Sequence, residues 1–265
     1  MSSLLGSSDL HELISAFLQK YTTPKAAPRR AYCQFFISDE NALMTTFLRT
    51  KAFVASRESL DPVPLEKAHL HFYDKMAGVR TRCNKAYRRH LEYLESSGKS
   101  EDPDEVPMQM FLPISVSLNA MEGVVRGDFS DVDEPHNHWV LVVIEPRERA
   151  IYLLDPLNHL ETRIVLEEAF LGWLVNTDCF QRRVMPGWLG RSSVAWTFHH
   201  FTRAYQDDNL CGYYVAWYVS LLLRRYSFAR ILTHENNNDE GVRAWKTRMV
   251  DKTLRQYRKG KSSTA

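Results

Sequence analysis

No CxxC pair occurs in this chain, and its four cysteines, Cys33, Cys83, Cys179 and Cys211, lie far apart. That absence excludes a zinc ribbon and leaves no disulfide framework to read. A reducing compartment suits such thiol usage, and a cysteine with a function here works as a single thiol. Glycine and proline are also scarce, 11 of each in 265 residues, which excludes collagen-like and Gly/Pro-rich disordered chains. A dominant charge is missing too. Lys plus Arg number 34 against 32 Asp plus Glu, a net +2, and this argues against a molecule built globally around a polyanion. No apolar run reaches the ~20 residues a membrane span needs. The longest, Tyr213 to Leu223, is interrupted by Ser220 and closed by Arg224-Arg225, and reads as a buried helix. The start, Met1-Ser2-Ser3-Leu4-Leu5-Gly6, lacks the basic region and apolar stretch of a secretory signal.

What is present supports one sizeable core, since 44% of the residues are hydrophobic. Leu10, Leu13, Ile14, Phe17 and Leu18 recur at helical spacing behind a Ser8 or Asp9 cap. Pro24 and Pro28 then break the chain, Tyr32 to Ile37 reads as a strand, and Ala42 to Val54 and Leu65 to Ser97 read as helical. The second of these carries a basic cluster from Arg80 to Arg89. Ser96 to Pro107 is acidic and turn-rich, the signature of a loop. Beyond it, Met110 to Val116, Trp139 to Ile144, Ala150 to Leu154 and Val194 to Tyr205 are rich in β-branched and aromatic residues and read as strands. Helices are expected from about Glu161 to Val175 and from Cys211 to about Arg225. Gly241 to Lys261 holds eight Lys and Arg residues against a lone Asp251, a basic helix or tail.

The most informative stretch is HWVLVVIEPRERAIYLLDP, residues 138–156, in which two apolar runs flank a short polar turn. It reads as an antiparallel hairpin. A turn centred near Pro146-Arg147 sets His138 opposite Asp155, on one face of the sheet. A carboxylate there can accept a hydrogen bond from one imidazole nitrogen, fixing its tautomer and stabilising the imidazolium. A one-residue slip would send the two side chains to opposite faces, and the alternative is that both simply end their strands. Downstream, QDDNLCG, residues 206–212, joins a strand to the most apolar helix, with Asp208 or Asn209 as its N-cap. Cys211 in the first turn would feel the positive end of the helix dipole, which favours a thiolate. Its alternative is a buried structural cysteine. Gln206 can offer its amide to a developing oxyanion.

Together HWVLVVIEPRERAIYLLDPL and QDDNLCGYYV resemble the His-Trp…Asp…Gln…Cys-Gly pattern of the Ulp1-like cysteine peptidases, the SUMO-protease and adenain-related group. The resemblance is clear from Met110 to about Leu223. It implies an α+β, papain-like or adenain-like fold, with a central mixed sheet flanked by helices and the nucleophile at a helix N-terminus. It further implies a single catalytic domain over 1–265, with a mainly helical part over 1–105, a core over 106–235 and a basic end over 236–265. Carried over, Cys211 is the nucleophile, His138 the general base and acid, Asp155 its orienting carboxylate, and Gln206 an oxyanion donor. Trp139 would wall the channel for a Gly-Gly tail, its alternative being core packing. Three departures stand out: Leu210 where many members have an acidic residue, Asp155-Pro156 for the frequent Asp-Ser, and Gln206 one residue nearer the cysteine than is commonest.

The implied reaction is hydrolysis after the terminal glycine of SUMO, NEDD8 or ubiquitin, on the modifier or its conjugates, without metal or cofactor. Neither His199-His200 nor His69/His71 has partners at metal spacing. An intracellular setting, cytoplasm or nucleus, follows. Acidic residues from Asp128 to Glu134 would suit arginines on ubiquitin or NEDD8, whereas Arg80 to Arg89 would suit an acidic modifier, so the two hints conflict. Rival readings are an acetyltransferase effector on the same scaffold and an inert modifier-binding module. A nucleic-acid role rests only on the basic C-terminal run, and such runs are commonly solvated or localising. No membrane partner is expected.

Overall fold

The structure is a computed structural model that describes residues 7–22, 34–36, 109–132, 134–145, 150–168, 196–206 and 209–262. The expected helices over 42–54 and 65–97, the loop over 96–107 and the basic cluster over 80–89 lie outside the described residues.

The β-branched and aromatic runs form one five-stranded mixed sheet in the order β1-β2-β3-β4-β5. These strands are β1 (Gln34–Phe36), β2 (Gln109–Val116), β3 (His138–Glu145), β4 (Ala150–Leu154) and β5 (Thr197–His200). The two outer pairings are parallel and the two inner ones antiparallel. β3 is buried at every position from His138 to Ile144. A strand covered on both faces tolerates the unbroken apolar run Val140 to Ile144 in place of alternation. The fourth expected strand is shorter than the sequence pattern suggested. It ends at His200, and Phe201 to Gln206 run on without strand pairing.

Helix α1 (Ser7–Thr22) begins before its expected Ser8 or Asp9 cap, so those residues stand inside its first turn. Leu10, Leu13, Ile14 and Phe17 are fully buried, in the i, i+3, i+4, i+7 pattern of one helix face. That face packs against α4 (Cys211–Leu223), whose thirteen residues are all buried. Between them in the chain come α2 (Leu118–Arg126), which the strand and helix periods did not foresee, and α3 (Leu160–Glu167). These two helices pack on one another.

Beyond α4 lie the short helix α5 (Phe228–Leu232), then α6 (Asp239–Trp245), a π-helical turn over Lys246–Val250, and α7 (Asp251–Ser262). The basic end of the chain is therefore helical, and α7 lies against α1. Two contacts hold this end onto the centre. Lys246 places its ammonium 4.0 Å from the centroid of Tyr213, in the first turn of α4. The Tyr214 hydroxyl donates to the Tyr205 carbonyl at 2.6 Å and to Asp239 Oδ1 at 2.9 Å.

The hairpin differs in register from expectation. Leu141 pairs with Leu154 and Glu145 with Ala150, which moves the turn one residue along the chain. Continued outward, Asp155 then faces Val140 and not His138. The displacement is by two positions, so His138 and Asp155 keep a common face, as diagonal neighbours.

Candidate active site

Asp155 follows the last residue of β4 and is 2% exposed, while His138, the first of β3, is 1% exposed. Two charged or polar groups so deeply buried require partners, and they have them. His138 Nε2 donates to Asp155 Oδ1 at 2.8 Å. The same oxygen accepts the Leu157 backbone N–H at 2.9 Å, and Oδ2 accepts that of His159 at 2.9 Å. The carboxylate is thus gripped by a tight turn over Asp155-Pro156-Leu157-Asn158. Asn158 adopts the left-handed region there, with φ 52°, a conformation asparagine accepts more readily than most residues. His159 ends that turn as the N-cap of α3, its Nδ1 accepting the Thr162 N–H at 3.3 Å.

Cys211 begins α4 and is 1% exposed. Its thiol is hydrogen-bonded to the His138 ring. The imidazole thus has the Asp155 carboxylate on Nε2 and the Cys211 thiol as a second partner. Burial works against a charged ring here. The hydrogen bonds to Asp155 and Cys211, together with their negative charge, outweigh it and push the His138 pKa up to about 9. An imidazolium beside a thiol at a helix start is an arrangement suited to a thiolate nucleophile.

The expected side-chain cap of α4 is absent. Leu210 holds the N-cap position and makes no side-chain cap hydrogen bond, whereas Asp208 lies outside the described residues. Leu210 is instead buried in the core, 1% exposed. Apolar anchoring of this residue fixes where the helix starts, and Tyr213 and Tyr214 both donate their N–H to its carbonyl.

Gln206 lies buried beside the Asp155 turn. The Pro156 carbonyl accepts the N–H groups of both Tyr205, at 2.8 Å, and Gln206, at 3.0 Å. The segment carrying the glutamine is thereby stitched to the turn carrying the aspartate. Trp139 is 7% exposed and belongs to the core cluster, with its ring edge-on to His11 of α1 at a centroid distance of 6.4 Å.

Sequence reasoning overlooked the support beneath His138. Ser117 caps α2 through the Ala120 N–H, and the Leu118 N–H donates to Asn137 Oδ1. Glu134 accepts from Ser117 and Asn119. The segment entering His138 is therefore fastened to the start of α2. A Ser four residues ahead of Met121 and a polar Asn-His entry are the signals that pointed to it. Of the acidic segment Asp128 to Glu134, Glu134 is engaged in this joint. Asp128 is fully exposed, and the Ser130 backbone and hydroxyl hold its carboxyl below the usual range.

A cavity of about 130 Å³ lined by Gln109, Glu145, Tyr152 and Phe228 sits at the other end of β3 and has no part in this site. Among the described residues no cluster of His, Cys, Asp and Glu is arranged to hold a metal ion, and no helix is long and apolar enough to cross a membrane.

Residues 132–259 match the family model for the Ulp1 protease family, C-terminal catalytic domain, which implies a papain-like or adenain-like α+β fold, and the mixed sheet with its helices agrees with it. Over that span the chain is similar to the Ulp1 protease family, whose cysteine proteases act on conjugates of ubiquitin-like modifiers. His138, Asp155, Gln206 and Cys211 all fall within it. No curated protein matches the chain.

Proposed function

We propose that this protein is a thiol isopeptidase that cleaves after the C-terminal Gly-Gly of SUMO or a related modifier, ubiquitin or NEDD8, with Cys211, His138 and Asp155 as its triad. The observation that carries the reading is the buried bridge in which one imidazole is bonded to Asp155 Oδ1 at 2.8 Å and to the Cys211 thiol. In the proposed reaction the Cys211 thiolate attacks the glycine carbonyl, and the Cys–C bond forms as the carbonyl π electrons move to oxygen. Gln206 and backbone N–H groups near the helix start steady that oxyanion. The imidazolium of His138 gives its proton to the departing lysine amine as the C–N bond breaks. Water, deprotonated by the now neutral His138, then hydrolyses the thioester. Asp155 stays ionised throughout and orients the ring. Trp139 walls the glycine channel.

A free thiol that must remain reduced suits the cytoplasm or nucleus. The test is a panel of SUMO, NEDD8 and ubiquitin probes bearing a C-terminal electrophile. Labelling of the wild type and none of Cys211→Ala is expected. Acetyl transfer from acetyl-CoA in its place supports the acetyltransferase reading, and an unlabelled wild type that still binds a modifier supports the inert module.

A further inference from the structure

Four of the cations between Gly241 and Lys261 fall on one side of a continuous helical rod. α6, the π turn and α7 follow one another without a break from Asp239 to Ser262. Their apolar residues turn inward. Val242, Trp245 and Val250 are buried, and Met249 and Leu254 pack against the core. At the far end Arg258 donates to Glu12 Oε2 at 2.8 Å and to Asp9 Oδ1 at 3.0 Å, both on α1. The rod is thus fastened along its length.

Its outer side carries Arg248, Lys252, Arg255 and Lys259, at i, i+4, i+7 and i+11, all exposed. At 1.5 Å per residue this stripe spans roughly 16 Å. Asp251 is the lone acidic residue of α7. Arg248 uses its Nε–H on the Ala244 carbonyl and is exposed. The large apolar side chains exposed among the described residues are Val125, Leu160 and Ile164, and they belong to α2 and α3.

We infer that this stripe is a docking surface for the phosphodiester backbone of a nucleic acid. Charge complementarity selects the occupant, and the missing apolar residues exclude its rivals. A stable protein interface needs an apolar or aromatic centre, and the outer side of this rod has none. A helix lying on a lipid surface inserts an apolar face, and here that face is already packed on α1 and the core. Rigidly spaced ammonium and guanidinium groups match a row of phosphates, the guanidiniums as planar forks. The near-neutral total charge does not oppose this, since the field is local and screened within about 10 Å. The surface makes no use of Cys211 and stands apart from the peptidase reading.

The experiment is fluorescence anisotropy of the full chain with a labelled mixed-sequence DNA duplex and, in a second arm, a single-stranded RNA of similar length. With three phosphates neutralised by Arg248, Lys252 and Arg255, duplex affinity should fall about 40-fold between about 50 and 200 mM salt. Lys252→Ala/Arg255→Ala should lose affinity at least tenfold at low salt and reduce the log–log salt slope by about 2. Cys211→Ala and Arg126→Ala, the latter on α2, should bind as the wild type does. Thermal midpoints equal to wild type keep loss of folding out of the comparison. Binding of neither nucleic acid at low salt, or binding unchanged in the double variant, overturns the inference. Equal competition by polyglutamate, or preferential binding to phosphatidylserine vesicles, overturns the choice of occupant.

Discussion

His138 and Asp155 are joined at 2.8 Å although neither is the other's partner in the β-ladder. The bond spans a diagonal of the sheet. It survives because Asp155 has just left β4, where a turn swings its carboxylate toward the start of β3. What fixes the geometry is the turn, with its two backbone N–H groups on the carboxylate, more than the ladder.

The first prediction concerns pH. With its pKa pushed up to about 9, His138 is protonated at neutral pH, and in the proposed reaction it is the proton donor to the leaving amine. Activity on a modifier substrate should therefore fall as pH rises through about 9, the loss being read in kcat/KM, which reports groups of the free enzyme. Folding stability has the same sign. The folded value lies above the ordinary 6.5, so the stabilisation is fully present below 6.5 and is lost as pH rises through about 9. Denaturation midpoints across pH 6 to 10 should decline for the wild type and flatten for His138→Ala.

Asp155→Asn should cost kcat/KM about 10²–10⁴-fold. All three neighbours of the carboxylate offer it hydrogens, so one of them must face the new amide NH₂ whichever way it turns. A buried donor left without an acceptor costs about 1–3 kcal/mol, and chemical denaturation should register that loss alongside the kinetic one.

Asn158 separates two effects at the same turn. Its φ of 52° suits glycine, so Asn158→Gly should leave activity within about twofold. Asn158→Val should destabilise by about 1–2 kcal/mol, the order of cost of a left-handed Cβ. It should also lower kcat, because the displaced Leu157 and His159 N–H groups no longer hold Asp155. Unchanged kinetics in the valine variant would refute the turn's positioning role.

Gly241→Ala probes the joint behind α4. A Cβ there would lie 2.4 Å from the Asn236 carbonyl oxygen and 2.7 Å from its Cα, backbone that cannot swing aside. A loss of about 1–3 kcal/mol is expected, the range for overpacking, measured by urea denaturation, with modifier-probe labelling retained at temperatures where the variant is folded.

How far the sequence alone reached is clearest at particular residues. Leu10, Leu13, Ile14 and Phe17 were legible because one helical period with one buried face leaves a simple pattern, and all four are fully buried. The apolar runs of β3 and β4 announced a hairpin, but residues 146–149 carried no Asn-Gly or Asp-Gly pair to fix its register, and the register moved by two. Of the candidate residues, His138 and Asp155 stood out because a buried run that ends in a polar side chain is chemically odd. The α4 cap was misread because Asp208 and Asn209 are favoured caps, whereas burial of Leu210 outweighed propensity. α2 went unseen because Gly123 and the β-branched Val124 and Val125 weaken its helical signal, while its caps and tertiary contacts supply what propensity lacks.

The fit of α1 on α4 has a consequence for the order in which the chain is made. The stripe Leu10, Leu13, Ile14 and Phe17 leaves the ribosome well before its partner helix, which begins at Cys211. At about 5–20 residues per second the stripe waits roughly 10–40 s for its counterpart. During that interval its apolar face is open to chaperones or to neighbouring nascent chains, and α7, which locks it through Arg258, arrives later still. Docking of α1 is therefore held back until α4 has been made: a helix that appears early settles late.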